Sequence, residues 1–172
     1  MINLGSDSLR VLALDPGLAA TGYAILDYRL SREVRLVEGG VIKTKAGLDL
    51  ENRLTLIFAS LDEIICEFQP DDISIEELYS DYKNPRTALQ MAHARGICLL
   101  AAGRAGIKVY HYPPRQVKQS LTGTGTATKS QVQQMVQARL SLKAPPKPDH
   151  VADAVAVALC HILHRGGPEG FR

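Results

Sequence analysis

Apolar residues run from Val11 to Leu14, stop at Asp15 and a Pro-Gly pair, and resume through Thr21, Gly22 and Tyr23. Runs this short, bounded by turn residues, predict two strands at 10–15 and 20–28 joined by a Pro-Gly loop. Residues 33–44 continue the two-residue period as a third strand, with Gly39-Gly40 marking a bend or bulge, and the short connections suggest an antiparallel meander. The period then changes. Leu54, Ile57, Phe58, Leu61, Ile64, Ile65 and Phe68 fall on one helical face, which predicts a helix over 50–68. "DISIEELY" (72–79) reads as a fourth strand ending in acids, 85–102 as a second helix apolar at Leu89, Ala92, Ile97 and Leu100, and "KVYHYPP" as a fifth strand closed by two prolines. A short helix at "RQVKQSL", a flexible "TGTGTAT" loop, a helix from a Thr128 cap to about Leu140, a loop "SLKAPPKP" and a last helix over 149–164 complete the chain. Three strands, a helix, then strands alternating with helices make an α/β domain with a mixed central sheet.

The last helix is apolar almost all round from Val151 to Leu159, which implies burial against the sheet, yet it carries Asp153. Asp15 poses the same problem at the mouth of a buried strand, where desolvating a carboxylate is costly. The fourth strand ends in Glu76-Glu77, and alternation alone leaves open which of the two faces inward. Sites in open α/β sheets form outside strand ends, so these acids converge if the strands are neighbours. In the last helix His150 and Asp153 are three apart and Asp149 and Asp153 four apart, so either pair projects from one side. Asp149 follows Pro148, where a helix cap belongs, and capping is its expected role. Carboxylate oxygens from separate segments meeting at one point suit Mg²⁺ or Mn²⁺.

Charge sharpens this picture. The net charge is only +2, but the first 81 residues hold fifteen of the eighteen acids, whereas residues 82–148 hold none and carry eleven Lys or Arg. A basic half bordering a carboxylate cluster is the footprint of a polyanion-binding surface around a metal. Length (172 residues) and an apolar fraction of 45% suit one domain, 1–172, with an ordered core of about 9–165. The longest apolar run is too short to span a bilayer, and "MINLGSDSLR" does not read as an export signal. Three dispersed cysteines with no C-x-x-C pair argue against disulfides or a zinc site, so a reducing cytoplasm is the expected location.

"LALDPGLAATGYAIL", "ISIEELY", "ARGI", "RQVKQSLTGTGTATKSQVQQMV" and "VADAVAVALCH" occur in an order and at spacings that resemble RuvC-type Holliday junction resolvases, from about residue 10 to 163. The resemblance implies an RNase H-like fold, a five-stranded mixed sheet whose first three strands are antiparallel, flanked by helices. It implies metal-binding, catalytic roles for Asp15, Glu76 and Asp153, with His150 as a fourth site residue where an acid is common, and two Mg²⁺ or Mn²⁺ ions per site. It places Tyr79 where an aromatic stacks on an unpaired base, and Lys118 and Lys129 near the DNA backbone, with Lys83, Arg86 and Arg115 beside them. Glycines 123 and 125 are expected to let that backbone approach DNA. Helix 83–100, with Ala92, Ala94 and Gly96, resembles a dimer-forming helix. The implied activity is paired symmetric nicking of four-way junction DNA by a homodimer in recombination and repair, leaving 5′-phosphate and 3′-hydroxyl ends, with a RuvA–RuvB branch-migration complex as partner. Rival readings are another nuclease of this fold, an actin-like ATPase sharing the Asp-x-Gly strand (a fold needing two such domains), and a junction-binding module without chemistry.

Overall fold

A computed structural model describes residues 8–29, 33–78 and 85–165. Five strands form one sheet, β1 (Ser8–Asp15), β2 (Ala20–Arg29), β3 (Val34–Lys43), β4 (Asp72–Glu76) and β5 (Lys108–Tyr112), in the order β3-β2-β1-β4-β5. β1, β2 and β3 pair antiparallel, whereas β4 and β5 lie parallel to β1, as a crossover through α1 (Leu50–Phe68) and another through α2 (Pro85–Ala105) demand. α3 (Pro114–Thr122), α4 (Lys129–Arg139) and α5 (Asp149–His164) follow.

The sheet is covered on both faces. Leu12, Leu14, Ile73 and Ile75 point to α1 and α2, while Val11 and Ala13 point to α5, which buries eleven of its sixteen residues. α5 sits low on the sheet because the strands beneath it lack side chains. A Cβ at Gly22 would collide with the backbone carbonyl of His150, and one at Gly39 would lie 2.7 Å from Val151 Cγ1. Gly39 and Gly40 therefore do not form the expected bulge; they pair in register with Ala24 and Tyr23, and the irregularity lies at Val37, between Ile25 and Leu26 on the facing strand. Those glycines clear space for α5 and for the Tyr23 ring.

Other boundaries shift for local reasons. β4 ends at Glu76 rather than running on to residue 79, and α3 starts at Pro114, whose missing N–H suits a first helical turn. α2 turns Ala94, Cys98, Ala101 and Ala102 inward; of the expected apolar face only Ile97 packs on the core, while Ala92 is exposed and Leu89 and Leu100 are 63% and 52% exposed. Small residues face in because α2 packs closely on α1 and the sheet. The expected "TGTGTAT" loop is cross-linked by its own hydroxyls: Thr122 donates to the Thr124 carbonyl (3.0 Å) and Thr124 bonds Thr126 (3.0 Å). Thr128 caps α4 as expected, in a reciprocal box with Gln131.

Candidate metal and nucleic-acid site

Asp15 ends β1 on the α5 face, continuing the alternation of Val11 and Ala13. Its partner across the antiparallel ladder is Gly22, the position on which the first turn of α5 rests. That seating brings helix residues onto the strand end. His150 Nδ1 donates to Asp15 Oδ2 at 3.0 Å, and ligand atoms of Asp15, His150 and Asp153 lie within 4.8 Å of one another. The loop after Asp15 is tied down as well, since Thr21 Oγ1 donates to the Gly17 carbonyl at 2.8 Å.

Glu76 arrives from the neighbouring strand. The parallel register pairs Ala13 with Ser74 and Leu14 with Ile75, so Asp15 and Glu76 are the next step on the same face. The register thus puts Glu76, not Glu77, on the face of Asp15, although Glu76 is not a member of the 4.8 Å group. Its electrostatics tie it to the group: burial, then the charges of Asp15 and Asp153, push the Glu76 carboxyl up to about 7. Burial also raises Asp15, with Asp153 adding to the rise and the His150 bond opposing it. Like charges held this close in a half-buried pocket favour a cation between them. Carboxylates are hard donors that fit Mg²⁺ and Mn²⁺, and the imidazole adds a nitrogen that suits Mn²⁺. The residues fit such an ion.

Lys129 lies inside this constellation rather than at its border. Its Nζ is 2.9 Å from Asp153 Oδ2 and 3.4 Å from Asp149 Oδ2. Asp149 is the first residue of α5, not its cap: Pro148 holds the cap position, and Asp149 accepts instead from Gln133 Nε2 at 3.2 Å. Lys118, half-buried on α3, contributes positive charge that acts on Glu76. Arg115 is exposed one turn earlier and packs over Gly125, where a Cβ would lie 2.9 Å from its Nε. So Gly125 makes room for an arginine of the chain itself. Gly123 caps α3 with a left-handed backbone, φ 80°. Arg86 is exposed in the first turn of α2, and Tyr79 and Lys83 lie outside the described residues.

A second polar cluster escaped sequence reasoning. His161, fully buried in α5, lies 3.0 Å from Asp72 Oδ2 through Nε2 and 2.8 Å from the Tyr112 hydroxyl through Nδ1. Arg165 Nε adds a contact to Asp72 at 3.2 Å. A polar residue in an apolar helix, "LCH", is the signal that was available.

Known proteins agree with this architecture. The family model of crossover junction endodeoxyribonuclease RuvC matches residues 11–161. Crossover junction endodeoxyribonuclease RuvC of Ruminiclostridium cellulolyticum is 47% identical over 151 residues, 88% of this chain and 90% of that protein. Its counterpart in Caldicellulosiruptor saccharolyticus is 45% identical over 155 residues, covering 90% and 93%. Among solved structures, T. thermophilus RuvC in complex with a Holliday junction substrate superposes with a TM-score of 0.86 at 36% identity, covering 91% of this chain and 94% of that one. The yeast mitochondrial resolvase Ydc2, 15% identical with a TM-score of 0.67, shares the fold. A mixed sheet with these strand directions, acids at the ends of its two central strands, and relatives this similar along most of the chain lead to one assignment: the chain belongs to the RuvC family of crossover junction endodeoxyribonucleases, with an RNase H-like fold.

Proposed function

We propose that this chain is a divalent-metal-dependent endonuclease that resolves four-way DNA junctions by paired symmetric nicks. The observation that carries the reading is the convergence of Asp15, His150 and Asp153 within 4.8 Å beside Glu76, with Lys118 and Lys129 of the basic half of the chain close by. Two Mg²⁺ or Mn²⁺ ions held by these residues would supply an activated water and charge stabilisation for the departing 3′-oxygen, which would leave 5′-phosphate and 3′-hydroxyl ends. Asp15, on the central strand, would serve both ions, Glu76 and Asp153 one each, and His150 would orient Asp15 through its Nδ1 bond and offer a ring nitrogen as a further ligand. Lys118, Lys129 and Arg115 bind backbone phosphates on one flank, and Lys83 and Arg86 extend that surface. Tyr79 stacks on an unpaired base near the junction centre.

A homodimer places one site on each of two like strands, and the exposed Leu89 and Leu100 of α2 support that helix as the contact. A RuvA–RuvB motor supplies junctions to it. The T. thermophilus RuvC, solved in complex with a Holliday junction substrate, supports the substrate class. The test is cleavage of a synthetic immobile four-way junction with Mg²⁺ and with Mn²⁺. Asp15→Asn should lower the nicking rate by about a thousandfold or more while junction binding persists, since binding rests on the basic surface. A mutant that cuts at close to the wild-type rate would overturn the mechanism.

A further inference from the structure

Lys129 is paired with the Asp153 carboxylate, a member of the candidate ligand group. Its ammonium approaches Asp153 Oδ2 at 2.9 Å, the same carboxylate that joins Asp15 and His150 in the ligand group. It also has a second seat, Asp149 Oδ2 at 3.4 Å, and Asp149 is itself steadied by Gln133 Nε2 at 3.2 Å. The base of the lysine is fixed, because Lys129 is the first residue of α4 behind the Thr128–Gln131 capping box. A cation on a short tether, positioned by a capped helix between two carboxylates, has the makings of an exchangeable counter-ion.

We propose that Lys129 is an internal competitor of the divalent cation for Asp153, and that Asp149 is the positioning residue that receives the ammonium when the cation takes Asp153. This rests on the reading of Asp15, His150 and Asp153 as a divalent-cation site. The handover gives metal loading a consequence beyond charge neutralisation: it frees the Lys129 side chain from Asp153 and leaves it on the exposed Asp149, at the mouth of the site, where a DNA phosphate meets it. Asp149 thus contributes to the site without ligating the metal. The exchange also keeps the pocket from gathering stray cations, since each ion must displace an ion pair already formed.

The experiment measures Mn²⁺ affinity of the whole chain without DNA, by electron paramagnetic resonance of free Mn²⁺ and by calorimetry. Lys129→Met should bind Mn²⁺ about two- to fivefold more tightly than wild type, the worth of a partly exposed ion pair. Removing any nearby positive charge gives some gain, so Lys118→Met is the control. Its gain should be smaller and should vanish at about 0.5 M salt, while the Lys129→Met gain should survive, because contact competition is screened far less than a distant charge. Asp149→Asn should weaken Mn²⁺ binding in the wild-type background and leave it unchanged in the Lys129→Met background, a coupling that two independent charges would not show. Equal, salt-sensitive gains from the two lysine variants would overturn the competition while leaving the metal site intact. Loss that is identical in both Asp149→Asn backgrounds would overturn the role of Asp149. Absence of Mn²⁺ binding in wild type and variants alike would overturn the metal reading and this inference together.

Discussion

α5 carries two histidine–aspartate pairs of the same length, and they behave as opposites. His150 meets Asp15 at 3.0 Å in the first turn, and His161 meets Asp72 at 3.0 Å three turns later. At the second pair both ring nitrogens are taken: Asp72 bonds one and Tyr112 the other, Arg165 closes on the carboxylate, and His161 is 0% exposed. At the first pair the His150 side chain is 46% exposed, the neighbours of Asp15 are further acids, and the nearest cation is tied to Asp153. A buried polar pair that is fully satisfied fixes the helix on the sheet. One with spare acceptors and like-charged neighbours is built to take something from outside. An equal contact distance thus says little about role until the remaining hydrogen-bonding capacity of both partners is counted.

The sharpest way to break the comparison is to remove each histidine. His161→Phe leaves Asp72 and the Tyr112 hydroxyl buried with a partner missing, and should cost about 3 kcal/mol in chemical denaturation. Adding Asp72→Leu should return part of that loss, because an apolar pair is cheaper than half of a polar one. A cost below about 1 kcal/mol would show that the buried pair is not what holds α5. The pair also predicts acid sensitivity. Burial holds the His161 imidazole below its ordinary value, so the folded chain binds fewer protons than the unfolded one, and stability falls as pH drops through about 6.5.

Glu76 titrates in the opposite sense. Its carboxyl is raised to about 7 by burial and by Asp15 and Asp153, so between the ordinary carboxylate range and 7 the folded chain binds more protons than the unfolded one. Its contribution to stability is therefore best at low pH and lost as pH rises through 7. Glu76→Gln should raise stability by about 2–3 kcal/mol at pH 8 and by nothing measurable at pH 4. Urea titrations of the metal-free protein at the two pH values check both the size and the sign. Equal effects at both pH values would mean that packing, not charge, sets the cost of Glu76. The site end of the sheet trades stability for charge, whereas the far end spends its polar groups on stability.

How much of this was legible beforehand follows from the range of each interaction. β1, β2, α1, α4 and α5 announce themselves because their signals are local: alternation, a helical face, a cap three residues before its glutamine. Asp15 and Asp153 stood out for the same reason, each being a charge in an otherwise apolar run. Gly39-Gly40 read as a bulge because a glycine pair looks the same whether it bends a strand or clears space for a helix from 110 residues away; only the position of Val151 decides. The inward face of α2 was misread because alanines carry it, and a weak apolar contrast gives periodicity little to work on. The resemblance puts Lys129 near the DNA backbone but says nothing of its ion pair with Asp153, which spans 24 residues and two helices. The Asp72–His161–Tyr112 chain depends on three elements at once, and no spacing rule reaches that far.

The smallest expected effect is the most discriminating. His150→Asp places a third carboxylate against Asp15 in place of an imidazole. Because the His150 side chain is 46% exposed, solvent screens the new repulsion, and the loss of stability at pH 8 should stay below about 1 kcal/mol. The same substitution at His161 puts a charge beside Asp72 with no solvent to relieve it, and should unfold the chain or cost several kcal/mol. In the cleavage assay His150→Asp should narrow the preference for Mn²⁺ over Mg²⁺, since an all-oxygen donor set no longer favours the ion that accepts nitrogen. Two like substitutions on one helix, one nearly silent in stability and altered in metal choice, the other ruinous, would establish that exposed residual valence separates the two pairs. If His150→Asp proved as destabilising as His161→Asp, the first pair would be a structural clamp like the second, and the metal would have to be sought elsewhere among these acids.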